Sequence, residues 1–123
     1  MKRTADSPSN VQYYDRVTDD ELRWLYSKAR ALVSVSSEDF GLTPLEANAF
    51  GTPSLLLRAG GFLDTMAANV SGQFITSPAL TDIVSALDSF PDQWDKDKIR
   101  EHAAKFSLEV FSHRMNDLLA TID

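Results

Sequence analysis

The sequence predicts an α/β fold: a three-layer, Rossmann-like parallel sheet flanked by helices, with further helices at its C-terminal end. Two short apolar runs, 31–36 and 53–57, read as buried strands. The segment between them is long enough for a turn and a short helix, and a strand–helix–strand unit of that size is a right-handed parallel crossover. The third observation is where the turn chemistry falls. Gly41 and Gly60-Gly61 follow the carboxyl ends of these two strands, where parallel sheets place their ligands.

Residues 1–10 are polar and without periodicity, and read as a loose N-terminal segment; residues 11–123 read as the domain. Val11-Gln12-Tyr13-Tyr14 is expected as a short strand. Thr18-Asp19-Asp20-Glu21 has the pattern of a capping box, with acids in the first turn where the helix dipole favours them. Leu22, Leu25, Tyr26 and Ala29 form one apolar helical face, and Trp24 is expected partly buried. After the 31–36 strand, Thr43 suits an N-cap, Pro44 the first helical position and Glu46 the capping-box glutamate, with Gly51 as the stop. Val70 to Ile75 is a turn into a strand. Ser77-Pro78 opens a helix whose Leu80, Ile83, Val84 and Leu87 are expected in the core. Asp92 to Lys98 is a charged connection before a helix carrying Ile99, Ala103 and Phe106. Ser107 caps a last helix with Leu108, Phe111, Met115, Leu118, Leu119 and Ile122 along one face, either core or interdomain surface.

Composition narrows the chemistry. A net charge of −6 argues against nucleic acid or an anionic membrane as a general partner. The absence of cysteine removes disulfides, thiolate nucleophiles and zinc–thiolate sites, and fits a cytoplasmic protein. No apolar run is long enough to span a bilayer. His102 and His113 lie on separate expected helices with no second histidine or cysteine beside them, so no metal is expected.

The most specific stretch is Glu38-Asp39-Phe40-Gly41-Leu42-Thr43-Pro44-Leu45-Glu46. A helix N-terminus offers unpaired N–H groups and partial positive charge, and Gly41 lets a ligand approach the main chain. A diphosphate suits Leu42 and Thr43, while the flanking carboxylates suit sugar hydroxyls. Such a site fits a nucleotide sugar. The plain alternatives are that Glu46 only completes the capping box and that Glu38 and Asp39 form a solvated acidic loop.

Glu38-x7-Glu46 enclosing Phe40-Gly41-Leu42, followed by Ala47, Ala49 and Gly51-Thr52-Pro53, resembles the signature of family 4 glycosyltransferases, retaining enzymes of the two-domain GT-B fold. Arg58-Ala59-Gly60-Gly61-Phe62-Leu63-Asp64-Thr65 is similar to that family's downstream glycine pair, with Asp64 where the family usually has glutamate. Val17 to Leu22 is similar to its segment entering the preceding helix. The resemblance covers residues 11 to 122, and its details look most like members that use activated mannose.

The resemblance implies that Glu38 contacts the donor sugar and is the catalytic candidate, and that Glu46 holds the ribose hydroxyls. It places the main chain of Phe40, Gly41, Leu42 and Thr43 at the sugar and diphosphate. Asp39 then points away or touches the sugar, and Gly60 and Gly61 allow close approach of the donor. Arg58 is a phosphate candidate or a plain surface residue. No cofactor is implied beyond the nucleotide-diphosphate sugar as substrate. The family's acceptor domain and the basic pair of its donor domain have no counterpart here, so the chain reads as the later part of a GT-B donor domain, inactive alone. An open sheet edge and association between chains are expected, with the longer enzyme peripheral to the membrane. Another GT-B enzyme, an epimerase or phosphorylase, and a non-catalytic remnant used for binding or assembly remain the other readings.

Overall fold

The computed structural model describes residues 8–37 and 42–106. Its elements run α1 (Asp19–Lys28), β1 (Leu32–Ser34), α2 (Leu42–Asn48), β2 (Ser54–Leu57), α3 (Phe62–Thr65), β3 (Gly72–Ile75), α4 (Leu80–Ser89) and α5 (Lys96–Ala104). Strands β1, β2 and β3 lie side by side in that order and are parallel throughout. Val33 stands opposite Leu55, and Leu55 opposite Gln73. This is the α/β architecture expected from the alternation of strand and helix patterns.

Strand β2 is central, and its apolar run is what a strand covered on both faces requires. Leu55 and Leu56 are fully buried, with Leu56, Phe62 and Met66 forming one cluster under Phe74. Asn48 is the polar fastener of this region. Its buried amide donates to Thr52 O at 2.8 Å and reaches Ser54 Oγ and Ser71 O at 3.5 Å, joining α2 to the starts of β2 and β3.

Helix α1 begins as its sequence demands. The Thr18 hydroxyl accepts from Glu21 N, and the Glu21 carboxylate accepts from Thr18 N, each at 3.1 Å. These bonds hold the Glu21 carboxyl below its usual range. At the other end of α2 the chain closes in a Schellman motif. Gly51 N–H donates to Asn48 O and Thr52 N–H to Ala47 O, with Gly51 in the left-handed region at φ +79°.

Several expectations are corrected. Residues 11–14 form no strand, because no neighbouring strand among the described residues pairs with them along their length. Trp24 is 59% exposed, on the side of α1 away from Tyr26. Strand β1 is not buried on both faces: Val33 and, just past the strand, Val35 are exposed, and among the described residues β1 pairs only with β2. Helix α4 starts at Leu80 rather than at Pro78. Ser77 Oγ is drawn to the Asp82 carboxylate and accepts from Ala79 N, forming a turn ahead of the helix. None of its residues is buried, and Leu80 is 75% exposed, because β3 is its main packing partner. Helix α5 begins earlier than expected, at Lys96, because Asp95 caps it by accepting from Lys98 N. The expected last helix lies outside the described residues.

Candidate functional site

Two connections leave the carboxyl ends of neighbouring parallel strands: β1 to α2, and β2 to α3. They carry the candidate residues. Glu38, Asp39, Phe40 and Gly41 lie outside the described residues. Leu42 and Thr43 are the first two residues of α2, and both are exposed.

Helix α2 sinks into the domain through Pro44, Leu45, Ala47 and Asn48. Glu46 stands between them on the outer side. It is not the glutamate of a capping box. Among the described residues its carboxylate makes no bond back to Thr43 N, and it turns instead to α1. Tyr26 Oη donates to Glu46 Oε2 at 2.9 Å. Sequence reasoning assigned Tyr26 to the apolar face of α1 and missed this bond. The signal was available: a tyrosine among leucines buries its ring but still needs a partner for its hydroxyl.

Tyr26 is held on several sides. Its ring stacks on Phe50, with centroids 5.9 Å apart, and its carbonyl accepts from the Thr52 hydroxyl. Burial, then the hydrogen bond to Glu46 and the charge of that carboxylate, push the Tyr26 phenol up to about 12. The phenol is therefore neutral at physiological pH and always a donor toward Glu46. Among the described residues, Glu46 Oε1 has no partner.

In the second connection Gly60 adopts a positive φ of 56°, which glycine accommodates freely. Its carbonyl accepts from Leu63 N, and the Gly61 carbonyl accepts from Asp64 N, Thr65 N and the Thr65 hydroxyl. The carbonyls of the pair are thus committed to α3, while its N–H groups make no bond among the described residues. Asp64 lies exposed in the first turn of α3. The Arg58 guanidinium sits 4.8 Å from the centre of the Phe74 ring at the ends of β2 and β3, a cation–π contact. His102 is buried, its Nε2 2.6 Å from Thr65 O, and this contact anchors α5 under α3. No group of three or more potential metal ligands occurs among the described residues.

A parallel sheet with helical connections leaving adjacent strand ends defines a Rossmann-like unit, a class whose ligands sit beyond the carboxyl ends of the strands. Residues 3–107 match the family described as Glycosyl transferases group 1, and the chain belongs to that family. It is 32% identical over 98 residues to a D-inositol 3-phosphate glycosyltransferase of Corynebacterium kroppenstedtii, a match covering 74% of this chain and 22% of that protein. It is 36% identical over 100 residues to the protein of that name from Mycolicibacterium smegmatis, covering 76% and 22%. It is 26% identical over 118 residues to the alpha-1,3/1,6-mannosyltransferase ALG2 of Dictyostelium discoideum, covering 90% and 28%. The crystal structure of Anabaena HepE in complex with UDP superposes with a TM-score of 0.65 at 17% identity, over 80% of this chain and 29% of that one, which shows a shared fold. The chain spans about a quarter of the length of these relatives. No helix among the described residues is long and apolar enough to cross a membrane.

Proposed function

We propose that this chain is the donor-binding portion of a retaining glycosyltransferase that transfers a hexosyl group, mannosyl in the reading favoured by its motifs, from a nucleotide sugar. The observation that carries this is the family match over residues 3–107, which contains both Glu38-to-Glu46 and Gly60-Gly61. In this reading Glu38 faces the donor sugar and Glu46 takes the ribose hydroxyls. The main chain from Phe40 to Thr43, with Asp39 beside it, lines the sugar and diphosphate. Gly60 and Gly61, whose N–H groups make no bond among the described residues, lie against the donor. Main-chain donors and cations from an acceptor-bearing parent would stabilise charge on the departing diphosphate, without a metal. The chain alone is inactive in transfer. Among the described residues β1 pairs only with β2 and carries the exposed Val33, which supports association between copies through this edge; a clean monomer by sedimentation at high concentration would exclude it.

Ligand-observed NMR with UDP-, GDP- and ADP-sugars tests the donor site. Binding of one nucleotide class, lost in Glu46→Ala, is the expected result. Equal binding by both proteins refutes the assignment of Glu46.

A further inference from the structure

From the 2.9 Å bond between Tyr26 Oη and Glu46 Oε2, we infer that Tyr26 is a positioning residue for the nucleotide ribose, acting through Glu46. This rests on the reading of Glu46 as the ribose ligand. Glu46 is an exposed glutamate on a short helix, and such a side chain samples many rotamers in water. Here one carboxylate oxygen is bound by a buried group from a different element, twenty positions away in the chain.

The donor itself cannot drift. Tyr26 is only 9% exposed, its ring rests on Phe50, and Thr52 holds its backbone. Phe50 and Thr52 flank the Gly51 turn, so the Schellman motif that ends α2 also builds the seat for Tyr26. The phenol stays neutral and remains a donor to Glu46. A carboxylate has about four lone-pair positions, of which the phenol uses one. Oε1 and the second lone pair of Oε2 remain, which matches the two adjacent hydroxyls of a ribose. A purely structural clasp between α1 and α2 would need no carboxylate, since an amide oxygen would accept the same bond.

The experiment uses the 123-residue chain and its Tyr26→Phe, Glu46→Gln and double variants. Each is titrated with UDP, GDP and ADP and with their 2′,3′-dideoxy counterparts. Phenylalanine keeps the ring on Phe50 and removes only the hydroxyl. Tyr26→Phe is expected to weaken the ribonucleotide about tenfold, the order of one charge-assisted hydrogen bond, and to leave the dideoxy form unchanged. The double variant should bind no worse than Glu46→Gln alone. Equal weakening toward both nucleotide forms overturns the inference, since only a structural loss behaves so. A loss in Glu46→Gln without one in Tyr26→Phe overturns the inference and spares the donor-site reading. No effect of Glu46→Gln, or no binding by the parent chain, overturns both. A measurement on the unsubstituted chain stands beside these, should Tyr26→Phe fold poorly. With ¹³Cζ-labelled tyrosine, assigned through Tyr13→Phe and Tyr14→Phe, the ribonucleotide is expected to shift the Tyr26 resonance and the dideoxy form to leave it in place. Identical responses to the two forms overturn the inference.

Discussion

Replacing Gly72 by alanine probes the joint between the sheet and the helix that carries Glu46. Gly72 stands opposite Ser54 in the parallel register. A Cβ built on it would lie 2.0 Å from Ser54 O and 2.8 Å from Ser54 C, both backbone atoms. Carbon–oxygen contacts settle near about 3.3 Å, so the strands would have to part locally by roughly 1.3 Å. Ser54 and Ser71 are fully buried, which leaves no free space for that movement. The Ser54 N to Ser71 O and Asn69 N to Gly72 O bonds, each 2.9 Å, stretch or break. Overpacking strain of about 2 kcal/mol and two weakened bonds of about 1 kcal/mol each sum to a loss of ~4 kcal/mol. With a urea slope of about 2 kcal/mol/M, the unfolding midpoint should fall by about 2 M. Asn48 reaches Ser54 Oγ and Ser71 O, so the displacement also reaches α2, and nucleotide affinity should fall with it. A midpoint shift under about 0.3 M would refute the packing argument, because no such steric overlap is that cheap.

Two further outcomes follow from the helix start and the buried phenol. Thr18→Ala removes the hydroxyl that accepts from Glu21 N and should cost about 1 kcal/mol in urea unfolding, with Thr18→Ser restoring most of it. The Tyr26 phenol is raised to about 12 in the folded chain against about 10 when unfolded, so the unfolded chain loses its proton first. Its contribution to stability is complete below about pH 10 and falls as pH rises toward about 12; thermal melts of the parent should show this decline, and Tyr26→Phe should lack that component.

The parts of this protein legible in its sequence are those set by neighbours along the chain. The box at Thr18 and Glu21, the glycine stop at Gly51 and the apolar run through Leu55 and Leu56 depend on local hydrogen bonding, backbone freedom and hydropathy. So does the crossover, because a helix between two short strands leaves few other connections. The spacing of Glu38, Glu46 and the glycine pair was equally legible, and it carried the resemblance that the family match bears out.

What escaped the sequence is what distant elements decide. Leu80, Val84 and Leu87 have the spacing of a core helix, but periodicity records only that a face is apolar, not what lies opposite it. Thr43, Pro44 and Glu46 satisfy a local cap pattern, yet the helix begins at Leu42 and Tyr26, brought in by α1, claims the carboxylate. Sequence chemistry alone thus named Glu46 as a candidate and supplied the residue types. Only the packing of α1 against α2 decided where its carboxylate is held, because a hydrogen bond between residues so far apart in the chain exists only once both helices are in place.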